Sequence, residues 1–277
     1  MTDQYAVIGN PISHSKSPLI HTLFAKQTGQ DMSYSSIEAP LDGFAGTIER
    51  LRQEGYKGCN VTVPFKLQAS NLTPFLETEV QEANAANTLT FKGNSIIANN
   101  TDGVGLVRDI EHNLGVSLQG KRVLLMGAGG AARGVQTPLV FARVQRLVIA
   151  NRSLEKAEEM LMHGHRFYEG RFDIEIVAKN YSDLRDEQFD VVINATASGL
   201  SDEMPPLPSS IFAPGALAYD MMYGRQTPFM KFAREQGAAQ VCDGLGMLVE
   251  QAAEAFFIWR GVRPDTAPVL KQLRETT

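Results

Sequence analysis

The sequence predicts an α/β fold in two domains, on three observations. The chain has 277 residues, too many for one minimal domain and too few for three at ~100–200 residues each. Short apolar runs alternate with helical patterns along almost all of it, the mark of βαβ units and a mostly parallel sheet. One such run, Lys121 to Met126, leads straight into a glycine cluster, so a second α/β unit begins there, after a first of about a hundred residues.

The elements of the first unit follow in order. Tyr5 to Ile8 reads as a strand, ended by a Gly-Asn-Pro turn. A helix is then opened by Ser17 as cap and Pro18 at its first position, with Leu19, Ile20, Leu23 and Phe24 as its apolar face and Gly29 as its stop. Strands are expected at Met32 to Ile37 and Gly58 to Val61, with a helix over Gly43 to Gln53 between them and another starting at Pro64. A hairpin from Thr88 to Ala98 turns at Lys92-Gly93-Asn94.

The second unit opens on a helix from Asp102 to near Leu114-Gly115. Strands follow at Lys121 to Met126, Leu147 to Ala150, Ile174 to Val177, Val191 to Asn194, Leu217 to Asp220 and Gln240 to Cys242, spaced as crossovers require. Met204-Pro205-Pro206-Leu207-Pro208 is a surface loop, since proline cannot occupy helix interior. A long helix over Met247 to Trp259 and a last one after Pro264 complete the chain.

Composition excludes several function classes. Apolar residues are 43% and charged residues 21%, which suits a globular chain with a sizeable core and not a disordered one. Lys and Arg number 26 against 31 Asp and Glu, a formal charge of −5 without long like-charge runs; no basic stripe is present, and nucleic acid is not expected as a partner. Cys59 and Cys242 stand far apart, which argues against a disulfide framework and suits a reducing compartment. Met1-Thr2-Asp3-Gln4 has no positive charge and the apolar run after it ends at Gly9, so neither a signal peptide nor a membrane span is expected and the protein reads as cytoplasmic.

The most informative segment is the strand Val123 to Met126 followed by Gly127-Ala128-Gly129-Gly130-Ala131-Ala132. This is a G-x-G-x-x-A turn between a strand and a helix, the context that dinucleotide binding requires: glycine lets the backbone turn tightly and approach a pyrophosphate, which sits against N–H groups at the helix start. About twenty residues on, where an NAD-binding domain of the Rossmann type has an acid, stands Asn151-Arg152-Ser153. An arginine fork suits a 2′-phosphate, so NADP is favoured over NAD, with Lys156 as a further charge.

The first unit has Ser13, Ser15 and Ser17 after one strand and Asn60-Val61-Thr62-Val63-Pro64-Phe65-Lys66 after another, beyond strand ends where ligands sit in open α/β sheets. Lys66 falls in a helix's opening turn, where the macrodipole opposes a positive charge; partly desolvated, it becomes a usable proton donor and acceptor. Asp102 reads either as the cap of its helix or as a carboxylate that faces and tunes Lys66. Asn60, Asn87, Gln251 and Thr62, with the serines, supply neutral donors and acceptors suited to a small polyhydroxylated ligand. The five histidines lack partners at ligand spacing, and no metal site is expected.

The segments GNPISHSKSPLIH from Gly9, NVTVPFK from Asn60, AANTLT from Ala85, NNTDGVG from Asn99 and GAGGAARG from Gly127 together resemble the shikimate dehydrogenases. NRSLEKA from Asn151, NATASGL from Asn194, YDMMYGRQTPF from Tyr219 and DGLGMLVEQAAEAF from Asp243 continue the resemblance to nearly the whole chain. It implies NADPH-dependent reduction of 3-dehydroshikimate to shikimate, on a fold with a cleft between a discontinuous substrate domain, 1–101 with 243–277, and a Rossmann domain, 102–242. It implies Lys66 and Asp102 as the catalytic pair, Ser15 and Ser17 on the substrate carboxylate, and Asn60, Thr62, Asn87 and Gln251 on its hydroxyls, with Tyr223 near the substrate. For NADP it implies Gly127, Ala128, Gly129, Gly130, Ala131, Asn151, Arg152, Ser153, Lys156, Thr196, Met221 and Gly244, and for the assembly a monomer or homodimer.

Two stretches depart from the pattern. Val135-Gln136-Thr137-Pro138 puts polar residues where the helix after the glycine turn should be apolar, and His163-Gly164-His165-Arg166 reads as a longer connection. Three alternatives remain at this stage: a quinate/shikimate dehydrogenase with relaxed substrate or cofactor use, disfavoured by the missing acid at Asn151-Arg152-Ser153; a non-catalytic NADPH sensor, disfavoured by Lys66 and Asp102; and a folate-dehydrogenase-like enzyme, which leaves SHSKSP and NNTDG unexplained.

Overall fold

The computed structural model describes residues 2–168, 170, 173–196 and 203–275. The chain divides into two units, one formed by the residues up to Gly105 with those from Val249 on, the other by Leu106–Leu248.

The first unit carries β1 (Asp3–Gly9), α1 (Ser17–Thr28), β2 (Met32–Glu38), α2 (Phe44–Gln53), β3 (Gly58–Val61), α3 (Lys66–Ser70), α4 (Thr78–Ala83), β4 (Thr88–Lys92) and β5 (Ser95–Asn99). Its sheet has the order β2-β1-β3-β4-β5. β1 runs parallel to β2 and β3, and β3, β4 and β5 pair antiparallel. The antiparallel half comes from the hairpin, whose two-residue turn has Gly93 at φ 58°, a positive φ such turns favour. Alternation along β1 sends Ala6 and Ile8 into a core with Phe44, Ile48, Leu51, Phe65 and Leu89. Tyr5, on the opposite face, stacks on Trp259 with ring centroids 4.6 Å apart.

Two helix starts differ from expectation. Ser17 is the first residue of α1 and Lys16 holds the cap position; the Ser15 hydroxyl accepts from the Ser17 N–H at 3.3 Å and so takes over the capping role. Pro64 lies outside α3, which begins at Lys66 after Phe65, so the lysine is still in the opening turn. The short helix α4 was not anticipated, since only Val80 and Ala83 of its six residues are buried and no apolar period shows.

The second unit begins within α5 (Asp102–Arg108), continues through a π turn (Asp109–Asn113), and carries β6 (Arg122–Met126), α6 (Gly130–Phe141), β7 (Arg146–Ala150), α7 (Leu154–Tyr168), β8 (Glu175–Lys179), β9 (Phe189–Asn194), β10 (Phe212–Asp220), α8 (Pro228–Glu235) and β11 (Gln240–Cys242). Its sheet has the order β11-β10-β9-β6-β7-β8 with every pairing parallel. This is the doubly wound order 3-2-1-4-5-6, whose switch point lies between β6 and β9. The strands are buried on both faces: Val123 and Leu125 pack with α6 and α7, while Leu124 and Met126 pack with Tyr181, Phe189 and Phe229. The last helices are α9 (Leu245–Arg260), within which the chain returns to the first unit, and α10 (Ala267–Glu275).

Residues 163–166, read from sequence as a connection, are a turn of α7. Gly164 is what allows the polar residues of α6: a Cβ there would stand 2.5 Å from Gln136 Nε2. Gln136 is buried and its amide donates to the Tyr168 hydroxyl at 2.9 Å, so a polar side chain is satisfied inside an apolar layer.

Candidate functional site

In the first unit the carboxyl ends of β1 and β3 lie side by side. Asn10 N–H donates to the Val63 carbonyl at 3.1 Å, and Gly9 passes so close to Thr62 that a Cβ on it would meet Thr62 Cγ2 at 2.6 Å. The segment that leads from Gly9 past Ser15 to Ser17, the first residue of α1, therefore starts beside the one that leads from Asn60 in β3 past Thr62 to Lys66, the first residue of α3.

Lys66 Nζ donates to Asp102 Oδ2 at 2.5 Å. Asp102 is 4% exposed, so its carboxylate has exchanged water for this ammonium and for Asn87, whose amide donates to Oδ1 at 2.9 Å. The Asp102 N–H is met by Asn100 Oδ1 at 3.1 Å, so Asn100 plays the capping part expected of Asp102, which is the first residue of α5.

Asn87 is the node of this network, and its orientation is unambiguous. Its Oδ1 accepts from the Thr101 backbone N–H at 2.9 Å, a group that only donates, so the amide nitrogen faces the other way. That nitrogen meets Asp102 Oδ1, Thr101 Oγ1 at 3.0 Å and Gln251 Oε1 at 3.2 Å. Gln251 is thus oriented by Asn87 with its oxygen inward. Its helix α9 is braced next door, where buried Glu250 accepts from Arg263 at 3.0 Å and from the Thr266 hydroxyl at 2.6 Å.

In the second unit the β6–α6 turn is backbone. Gly127 has φ +104°, a conformation L side chains rarely adopt, and a Cβ on it would lie 3.2 Å from the Ala195 carbonyl oxygen. Gly129 and Gly130 have open space where their Cβ atoms would be. Above them are the first N–H groups of α6, which have no intrahelical acceptor. A cradle that side chains would fill, lined by N–H groups, fits a pyrophosphate.

At the end of β7, Asn151 Nδ2 donates to the Ser153 carbonyl at 2.9 Å, which ties the turn, and Arg152 and Lys156 are exposed. The Ser153 hydroxyl donates to Glu155 at 2.7 Å, and this bond holds the Glu155 carboxyl below its usual range.

Beyond β9 and β10 a buried chain links Thr196 to the segment bearing Met221. The Thr196 hydroxyl donates to Asn194 Oδ1 at 2.7 Å, Asn194 Nδ2 to Asp220 Oδ2 at 3.1 Å, and Asp220 also accepts from the Thr227 hydroxyl at 2.5 Å and the Met222 N–H at 3.0 Å. Burial raises the Asp220 pKa, with Thr227, the Met222 N–H and Asn194 opposing. Gly244 packs on this segment, for a Cβ there would stand 2.3 Å from the Met221 carbonyl oxygen. Tyr223 lies in the loop after β10. Residues 197–200 of the NATASGL segment lie outside the described residues.

Sequence reasoning passed over Tyr34, Thr101 and Asn194, which bond to the site residues Asn60, Asn87 and Thr196, and over Asp220 and Thr227, which extend the chain from Asn194. Thr101, Asn194, Asp220 and Thr227 sat in quoted motifs without being given a role, and Tyr34 lay outside them all. Among the described residues no cluster of His, Cys, Asp and Glu is arranged to hold a metal ion, and no helix is long and apolar enough to cross a membrane.

Family models match in three places: the shikimate dehydrogenase substrate binding domain over residues 7–89, shikimate / quinate 5-dehydrogenase over 109–201, and the shikimate 5'-dehydrogenase C-terminal domain over 244–274. The chain is 58% identical over 272 residues to the shikimate dehydrogenase (NADP(+)) of Methylobacillus flagellatus, covering 98% of this chain and 99% of that one. It belongs to the NADP-dependent shikimate dehydrogenases. The enzyme is an oxidoreductase that reduces 3-dehydroshikimate to shikimate with NADPH in aromatic amino acid biosynthesis.

Solved structures agree in fold. An Ael1 enzyme from Pseudomonas putida is 49% identical with a TM-score of 0.90, covering 98% of each chain. The Thermus thermophilus shikimate 5-dehydrogenase in complex with NADP(H) and shikimate is 28% identical with a TM-score of 0.85, covering 99% of this chain and 100% of that one.

Proposed function

We propose that the first unit is the substrate domain of this dehydrogenase and the second its NADP domain, and that Lys66 and Asp102 manage the proton of the reaction. The observation that carries this is the Lys66–Asp102 contact of 2.5 Å at a carboxylate buried from water. When bound, NADPH supplies the hydride that reduces the C3 ketone. Lys66 protonates or stabilises the oxygen as it gains charge, and Asp102 orients and supports that lysine.

Ser15 and Ser17 take the substrate carboxylate, beside the first N–H groups of α1. Asn60, Thr62, Asn87 and Gln251 take its hydroxyls, and Tyr223 closes the substrate set. The glycine turn from Gly127 to Ala131 holds the pyrophosphate, with Asn151, Arg152, Ser153 and Lys156 on the 2′-phosphate and Thr196, Met221 and Gly244 toward the nicotinamide. The assembly that goes with this reading is a monomer or homodimer. The buried Cys59 thiol accords with a reducing, cytoplasmic setting.

Two measurements test the reading. Turnover followed by NADPH absorbance should be highest with shikimate and NADP, and lower with quinate or with NAD in its place. An Asp102→Asn enzyme with undiminished turnover would overturn the pair.

A further inference from the structure

The Asn60 amide is held in one orientation by groups whose roles cannot be exchanged. Its nitrogen stands 3.1 Å from the Asn87 carbonyl oxygen, which only accepts, so the atom there is the NH2 group. The second hydrogen reaches Thr88 Oγ1 at 3.0 Å, and that hydroxyl donates onward to Asn87 Oδ1 at 2.9 Å. Asn60 Oδ1 therefore faces Tyr34, whose hydroxyl donates to it at 2.7 Å.

Tyr34 is fixed in turn. Its ring lies flat on His21, with centroids 4.1 Å apart and planes 5° apart, and Trp259 stands beside both. His21 is fully buried, and burial lowers its pKa to about 3, so the imidazole is neutral at working pH. Burial likewise pushes the Tyr34 phenol well above its usual pKa, which keeps it a donor.

Both hydrogens of the Asn60 amide are thus engaged, so toward any further partner it offers only the acceptor Oδ1. We propose that Tyr34 is a positioning residue for substrate recognition: it holds Asn60 as a pure acceptor, so that at this point the site takes a ring hydroxyl and rejects a carbonyl or carboxylate oxygen. The reacting oxygen is a ketone in one direction of the reaction and would be repelled there. Asn60 must then grip a hydroxyl that stays a hydroxyl throughout. The proposal rests on the reading of Asn60 as a substrate contact.

The test is Tyr34→Phe, which keeps the stacked ring and removes only the hydroxyl. Its KM for shikimate should rise about 3- to 10-fold, the range of one neutral hydrogen bond, with kcat changed less and KM for NADP unchanged. The deciding measurement uses shikimate analogues in which each non-reacting ring hydroxyl in turn is replaced by hydrogen. With the analogue that lacks the hydroxyl Asn60 grips, wild type and Tyr34→Phe should have equal KM; with the other, the difference should persist. A uniform difference across shikimate and both analogues overturns the proposal, as does a fall in Tm accompanied by changes in both KM values and kcat. Asn60→Ala separates the two layers. If it leaves KM for shikimate unchanged, the reading of Asn60 fails; if it raises KM while Tyr34→Phe is silent, only the role of Tyr34 fails.

Discussion

At the carboxyl ends of β1 and β3 the first unit crowds side chains that bond to one another, whereas at the end of β6 the second unit presents little but backbone. The first site is made of partners: Lys66, Asp102, Asn87, Thr101 and Gln251 each hold another in orientation. The second is made of room: Gly129 and Gly130 matter for what they leave empty. A site of partners is damaged by removing atoms, because a buried group loses its mate; a site of room is damaged by adding them.

The largest test of that contrast is Lys66→Ala. Turnover should fall by about 10²- to 10⁴-fold, the range for a general acid–base group, with NADP affinity by fluorescence titration unchanged. A comparable loss of NADP binding would mean that the two sites are not separable in this way.

Next comes the pH dependence of the layer behind Asn60. His21 sits at about 3 against an ordinary 6.5 because burial disfavours its charge. Below pH 6.5 the unfolded chain takes up a proton that the folded chain refuses, so the stability His21 confers is full above pH 6.5 and drains away as pH falls toward 3. Between pH 6.5 and 4.5 wild type should lose about 2–3 kcal/mol more than His21→Phe in urea unfolding, and equal losses would refute a neutral imidazole.

Arg152→Ala probes a charged side chain of the second site. It should weaken NADP by about 10- to 100-fold, the size of a charge-assisted contact, and NAD hardly at all, as read from the two KM values. Equal losses would remove Arg152 from the 2′-phosphate.

The smallest effect on folding and the sharpest on principle is Gly129→Ala. Its Cβ meets no atom and its backbone is extended, so stability should change by less than ~0.5 kcal/mol while NADP binding weakens. An unaltered Kd would show that the cradle is not where the pyrophosphate lies.

The same contrast governs what the sequence reveals. The β6–α6 turn is local, and six consecutive residues after a strand display its glycine spacing, so its place and its chemistry can be read directly. The network of the first unit joins residues 36 and 164 positions apart, which no window along the chain can pair; their chemistry offered Lys66 and Asp102 as one of two readings, family resemblance drew the set together, and hydrogen-bond direction came only with the structure. Tyr34 shows why: on an edge strand with alternating exposure it looks like any surface tyrosine. Where local reasoning failed, a neighbour had already satisfied the group in question. Ser17 is the first residue of α1, its N–H met by the Ser15 hydroxyl, and His163 to Arg166 are helical, with Gly164 leaving room for Gln136.

That last contact also limits how this chain can change over time. Gln136, Gly164 and Tyr168 form one unit of substitution, since a side chain at 164 would push the buried amide off the Tyr168 hydroxyl. A lineage that enlarges position 164 displaces the far end of Gln136, at the cost of its bond to the Tyr168 hydroxyl unless position 136 shortens as well. The three positions should therefore covary among relatives as a block, unrelated to substrate or cofactor, and relatives with an apolar residue at 136 are the ones in which Gly164 is dispensable.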